Sequence, residues 1–253
     1  MTDRVNSPAT DDRNQYSLAS RRVNELTAQS RNRSGDSHEI NSGELPMPQL
    51  STNRALVGVV LTLWLAVVVY LGATGSFITA PGTPPIPIAL GAGLPVLVFL
   101  SLVLASTFRK FLLTCDLPLM TAVQAWRFAG FGFIALYVHG VLPGSFAWPA
   151  GLGDIAIGLT APWIALALVR RPEFATSRLF AIWNLLGMLD LLVAVGAGAL
   201  NQVFATGKVG EISISPMAQM PLLLIPAYLV PLLFVLHITA LFQARRLSRN
   251  LDF

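Results

Sequence analysis

Among the ionisable side chains inside long apolar stretches of the sequence, where a charge is costly, four are candidates for a polar core. They are Arg127, Asp154, Asp190 and His237. A charged group at the centre of a bilayer costs roughly 3 kcal/mol or more, so it is expected to face protein or water and to have a partner. Side chains of these types support ion pairing and proton relay at membrane depth. We therefore treat the four as a candidate intramembrane polar core.

Arg127 and Asp190 are predicted to meet at one depth. At a helical rise of about 1.5 Å per residue, Arg127 lies roughly 15 Å and Asp190 roughly 18 Å from the same face of the membrane. Both values fall near the middle of a hydrocarbon core about 30 Å thick. Such a pair can simply fix helix register, or it can belong to a site for protons or substrate.

Asp154 has two open interpretations. A helix beginning near Pro149 would place it in the first turn, near the outer surface, where a carboxylate complements the helix dipole. Alternatively, Asp154 and Asp190 share one cavity, and because Arg127 cannot neutralise both, one carboxyl group would hold an exchangeable proton, as proton-coupled carriers require. His237 is predicted in the inner third of the last helix, far from His139, and to form interhelical hydrogen bonds.

Small residues and prolines add to this pattern. Asp190 shares a helix face with Gly187, Ala194 and Ala197, and Asp154 shares one with Gly151, Gly158 and Ala161. Small residues allow helices to approach closely, so both aspartates are expected at helix interfaces. Pro226 and Pro231 predict kinks in the last helix, which either line a substrate path or shape static packing.

The elements that carry these residues are predicted to be six membrane-spanning helices. Of all residues 54% are apolar and 12% are charged, against about 25% charged in soluble domains. A spanning helix needs about 20 mostly apolar residues. The six predicted spans are residues 55–75, 86–108, 118–140, 149–169, 178–200 and 221–242. The predicted fold class is thus an all-α, polytopic transmembrane helical bundle.

Charge in the connections predicts the orientation, because short loops rich in Lys and Arg stay in the cytoplasm. Four alternate segments carry arginine or lysine: Arg54; Arg109 and Lys110; Arg170, Arg171 and Arg178; Arg245, Arg246 and Arg249. The three other connections contain one basic residue between them, Lys208. Six crossings with both termini in the cytoplasm satisfy this alternation.

The first 50 residues differ from the rest of the chain. They contain six arginines and seven acids, few apolar residues and no apolar segment typical of a signal peptide. Such a composition predicts a disordered cytoplasmic tail. Met47 stands just before the first span and is a candidate alternative start, so the presence of residues 1–46 in the native protein is left open.

Several functions are not supported by the residues. Basic side chains flank the spans without interleaved aromatics, so nucleic-acid binding is not indicated. A single cysteine, Cys115, allows neither an internal disulfide nor a thiolate cage. Metal-binding histidine spacings and hydrolase or phosphate-loop motifs are absent. No cofactor or metal is therefore predicted, and an enzymatic role is not favoured.

Three segments resemble a family of uncharacterised bacterial integral membrane proteins. They are Gln124–Gly130 (QAWRFAG), residues 142–154 (LPGSFAWPAGLGD) and residues 225–237 (IPAYLVPLLFVLH). The resemblance covers about residues 50–245. It implies a multi-pass protein of the bacterial cytoplasmic (inner) membrane and brings no assigned activity.

Three functional hypotheses follow. The first is a small transporter or proton-linked permease component that uses Arg127, Asp190 and Asp154 and that would need a homodimer. The second is a non-catalytic scaffold that packs against a membrane partner subunit through its Gly/Ala faces. The third and weakest is an intramembrane enzyme or redox protein. In each case the lipid bilayer is the immediate partner.

Overall fold

The structure, a computed structural model, describes residues 49–251. The predicted tail over residues 1–46 and the candidate start at Met47 lie outside these residues. From Gly58 onward the chain forms one compact unit, and the contacts reported below lie within it. Every regular element in the described part of the chain is helical.

Eight α-helices follow one another along the chain. They are α1 (Gln49–Ala73), α2 (Ile86–Val103), α3 (Ser106–Leu112), α4 (Leu117–Val123), α5 (Phe131–Val138), α6 (Gly144–Arg170), α7 (Arg178–Val203) and α8 (Val230–Leu251). Six segments are long and apolar enough to cross a membrane: Ala55–Ala73, Ile86–Val103, Leu117–Val138, Gly144–Arg170, Arg178–Val203 and Ile225–Arg249. The prediction of an all-α fold with six spanning helices is confirmed.

The third span is broken, whereas the sequence predicts one continuous helix. A 3₁₀ segment, Gln124–Gly130, separates α4 from α5 and carries Arg127 at its centre. This segment lies directly against α6. A Cβ atom at Gly130 would lie 2.6 Å from the Cβ of Asp154 and 2.8 Å from the Gly151 carbonyl oxygen. Only glycine permits this approach, and the tighter 3₁₀ backbone is of the kind often found at functional positions in helices.

The fourth span begins five residues earlier than predicted. Pro143 precedes α6, which begins at Gly144, and Phe146 and Ala147 in its first turn are buried. Asp154 is thus the eleventh residue of a 27-residue helix. The interpretation of Asp154 as a first-turn carboxylate near the outer surface is wrong, because the sequence-based boundary was placed at the internal Pro149.

The last span begins later than predicted. Pro221 follows a cis peptide bond and precedes the helix instead of occupying its first turn. The span opens with a π-helical turn, Ile225–Leu229, which contains Pro226, and α8 continues from Val230 with Pro231 as its second residue. The two prolines therefore lie where wide π-helical backbone passes into regular α-helix.

The connection after α7 contains a small loop closed by Glu211. Its carboxylate accepts hydrogen bonds from the Thr206 N–H at 3.0 Å, the Thr206 hydroxyl at 2.9 Å and the Lys208 N–H at 3.3 Å. These donors favour the ionised form. They lower the pKa of Glu211 below its ordinary 4.5, with the Thr206 N–H as the largest cause.

We expect this loop to depend on pH in the acidic range. Because the pKa of Glu211 is lowered in the folded loop, the contacts stabilise the loop fully at a pH above the ordinary pKa. This stabilisation is lost as the pH falls through the lowered pKa. The ¹³C shift of the Glu211 carboxyl carbon should titrate with a midpoint below 4.5. A midpoint at or above that value would contradict the loop geometry. Glu211→Gln, which cannot ionise, is the control and should show no titration of the surrounding amides.

Candidate functional site

Arg127 is the centre of a buried ion cluster formed by Arg127, Asp154, Asp190 and His237. The arginine is only 3% exposed. Its Nε donates a hydrogen bond to Asp154 Oδ1 of α6 at 2.6 Å, and its Nη2 donates to Asp190 Oδ2 of α7. One guanidinium thus joins the third span to the fourth and the fifth.

The third nitrogen of Arg127 contacts α7 a second time and also contacts the last span. Nη1 donates to the Gly187 carbonyl oxygen at 3.1 Å and lies 3.2 Å from Nε2 of His237. The structure therefore brings together all four residues of the candidate polar core, and His237 is a member of the cluster rather than a residue of the inner third of its helix. All three guanidinium nitrogens have partners in the protein, so Arg127 has little capacity left for an additional anion.

The hydrogen bonds of His237 define its tautomer. Asn184 Nδ2 donates to the Phe180 carbonyl at 2.9 Å, which leaves Asn184 Oδ1 as an acceptor 2.9 Å from His237 Nδ1. Nδ1 must therefore carry the proton, and Nε2 accepts from Arg127. His237, which is fully buried, is a neutral imidazole held in place by both ring nitrogens.

Trp183 holds the imidazole from the side. Its ring packs edge-on against His237 with centroids 5.5 Å apart, and its Nε1 donates to the Thr160 hydroxyl at 2.8 Å. Thr160 lies on α6, so this contact also links α6 to α7. The imidazole is therefore held by two other spans, the third through Arg127 and the fifth through Asn184 and Trp183.

Two glycines provide the space for the cluster. The Asp190 carboxylate lies where a Cβ atom at Gly153 would be, and the His237 ring lies where a Cβ atom at Gly187 would be. A residue larger than glycine at Gly153 would push Asp190 away from Arg127, and one at Gly187 would push His237 away. The close packing of α6, α7 and α8 at this depth therefore depends on glycine, as in other membrane helix interfaces.

The cluster contains one more acid than base. With His237 neutral, the ionised forms of Arg127, Asp154 and Asp190 sum to a formal charge of −1. The side chains of Asp154 and Asp190 are 15% and 11% exposed, whereas that of Arg127 is 1% exposed. The two carboxylates therefore keep a small exposed fraction, whereas the guanidinium is almost completely buried.

A cavity lies beside the cluster and reaches Asp154. Its lining includes Ile78 and Thr79, which follow α1, Gln202 near the end of α7, and Asp154 of α6. Its walls are mainly apolar and include Phe133 and Phe146, whose rings pack edge to face at 5.3 Å. Asp154 is the only ionisable residue among those that line it. Pro226 also contributes to the wall.

Two residues of the site, Asn184 and Gly153, were not among those predicted from the sequence. Asn184 lies three residues before Gly187 and six before Asp190. These spacings place all three on one face of α7, a signal that could have revealed Asn184. Gly153 carried no comparable signal, since its role depends on a contact from another helix. Within residues 49–251, no group of three or more His, Cys, Asp or Glu side chains is arranged to hold a metal ion.

The fold and the cluster together define a multi-pass membrane protein with a charged centre buried between its helices. The family described as a domain of unknown function (DUF8737) matches residues 83–245, which is more than half of the chain. The chain belongs to this family. No curated protein and no solved structure matches it.

Proposed function

We propose that the protein is a small proton-linked membrane transporter and that Arg127, Asp154 and Asp190 form its central site. The observation that supports this most directly is the imbalance of charge in the cluster: two carboxylates share one guanidinium, and one of them faces a cavity. A net negative charge at membrane depth favours uptake of a cation, and the proton is the simplest one.

The hydrogen bonds favour a carboxyl group as the proton acceptor. His237 Nε2 accepts from Arg127 and would lose that contact if it were protonated. Asp154 uses only Oδ1, and Asp190 only Oδ2, to contact Arg127. The second oxygen of either aspartate can bind the proton while the first oxygen keeps its hydrogen bond to Arg127. In this proposal, one proton makes the cluster formally neutral and lowers the cost of exposing it in another conformation.

Two segments with non-α backbone are the candidate hinges. The 3₁₀ segment Gln124–Gly130 carries Arg127, and the π-helical turn Ile225–Leu229 precedes the helix of His237. Discontinuous helices of this kind line the sites of many secondary transporters. A change at either segment would move one member of the cluster relative to the others.

Infrared spectroscopy of the purified protein tests the proton site. We expect a protonated-carboxyl C=O stretching band whose intensity changes reversibly with pH and which is absent from the Asp154→Asn/Asp190→Asn double variant. Asp116→Asn is the matched control, because Asp116 is an exposed N-cap carboxylate outside the cluster, and it should leave the band intact. A band that does not respond to pH would contradict the proposal.

The scaffold hypothesis has less support. The Gly/Ala faces that would bind a partner include Gly151, Gly158 and Gly187, and all three are buried against other helices of the same chain. These faces are therefore already occupied. A homodimer and a position in the bacterial inner membrane with cytoplasmic termini remain part of the proposal, and the orientation is supported by the distribution of arginines.

A further inference from the structure

We infer that the cavity beside Asp154 binds a small organic cation, a molecule with an apolar body and one positively charged nitrogen. This inference rests on the proposed function, since it names the class of substrate for the same site. It is supported independently by the charge, the lining and the size of the cavity.

The charge that the cavity presents is negative. Asp154 is the only ionisable residue in the lining, and Arg127 does not contribute to it. The guanidinium is held in place by contacts from Nε, Nη1 and Nη2. Asp154 is therefore the charged residue that a ligand in the cavity would contact, which favours a cationic group over a neutral or anionic one.

The remaining lining suits an apolar body. Leu191, Val195, Ile88, Phe133 and Phe146 form much of the wall, and Thr79, Gln202 and Ser215 are the uncharged polar side chains among the lining residues. Binding sites for small molecules typically combine apolar walls with a few polar groups that fix orientation. Asp154 lies well inside α6, whereas Thr79 and Ser215 lie in connections between spans, so the charged nitrogen of the ligand would lie deepest.

The size of the cavity limits the ligand. Its volume is about 80 Å³. A single water needs roughly 10–15 Å³ measured in this way, so the cavity holds several waters and suits a small ligand. Benzyltrimethylammonium, with one aromatic ring and one quaternary nitrogen, is a small cation of this kind.

Equilibrium binding to the purified full chain tests the inference, with radiolabelled benzyltrimethylammonium as the probe. We expect saturable binding that unlabelled probe displaces and that phenylacetate, an anion of similar shape, and 3-phenylpropan-1-ol, a neutral one, displace at least about tenfold less well. Asp154→Asn, which keeps the shape of the side chain, should weaken binding by at least about tenfold.

A second pair of variants tests the cavity itself. Gly198 lines it, and a Cβ atom there would lie 3.7 Å from the Phe146 ring, so Gly198→Leu should fill the space and abolish binding. Gly196→Leu is the matched control on the same helix, since nothing lies within 4 Å of its Cβ position, and it should bind the probe normally. Equal competition by the three compounds, or unchanged binding in Gly198→Leu, would overturn the inference.

The binding experiment and the infrared experiment test the substrate class and the proton link separately. A carboxyl band that responds to pH without binding of the cation would leave the proton link intact and overturn only the substrate class. Binding that depends on Asp154 without a pH-sensitive band would support the substrate class and contradict the proton link.

Discussion

Replacing Arg127 with alanine is expected to destabilise the folded protein by roughly 3–5 kcal/mol, the usual cost of leaving a buried charge without its partner. The variant removes the donor to Asp154, to Asp190 and to the Gly187 carbonyl at once. Two carboxylates then remain together at membrane depth with no compensating charge. The thermal unfolding midpoint in one fixed detergent should fall accordingly.

Removal of the two unpaired carboxylates should restore much of the lost stability. The triple variant has no charge in the cluster, since it combines Arg127→Ala with Asp154→Asn and Asp190→Asn. We expect it to unfold at a clearly higher temperature than Arg127→Ala alone. Arg127→Ala with only Asp190→Asn should lie between the two, because Asp154 stays unpaired. If all three variants unfold at the same temperature, loss of packing rather than loss of charge pairing determines the effect.

Gly158→Ala is expected to destabilise the folded protein nearly as much as Arg127→Ala, although it adds only one methyl group. A Cβ atom at Gly158 would collide with the backbone nitrogen of Phe128 and lie 2.7 Å from the carbonyl carbon of Arg127. Backbone atoms cannot rotate away as a flexible side chain can, so α6 and the 3₁₀ segment must separate. Overpacking typically costs about 1–3 kcal/mol, and here it also displaces Arg127 from both carboxylates.

The same substitution at Gly196 provides the comparison. No atom lies within 4 Å of a Cβ built there, and alanine favours a helix over glycine by up to about 1 kcal/mol. Gly196→Ala should therefore unfold at or above the wild-type temperature in the same detergent. A similar loss of stability in both variants would show that the close contact at Gly158 is not what makes glycine necessary.

The six spans could be predicted because hydropathy and the alternation of arginine-rich connections are properties of the chain itself. The depth of the buried residues depends instead on where each helix begins. The five residues by which α6 extends beyond the predicted start correspond to about 7.5 Å at helical rise. That distance places Asp154 beside Arg127 rather than near the surface.

The same kind of error concealed the position of His237. Counted from Pro221, the histidine appeared to lie deep in the inner third of its helix. The span in fact begins at Ile225 and ends at Arg249 rather than at residue 242, so His237 is twelve residues into a 25-residue span, which is the middle. Asp190 is twelve residues past the start of α7 at Arg178, so the two side chains lie at matching depths from opposite ends.

The tertiary contacts themselves could not be predicted from spacing. Nothing in the pattern of the third span indicates that it passes through a 3₁₀ segment at Arg127, since the cause is the packing of Gly130 and Gly158 against other elements. The role of Gly153 is equally non-local, because the group that occupies its space is the carboxylate of Asp190.

The range matched by the family has a consequence for which parts of the site lie together. Residues 83–245 include the whole ion cluster and all of the residues that line the cavity except Ile78 and Thr79. The charged groups and nearly all of the wall beside them therefore lie within the one segment of the chain that matches the family.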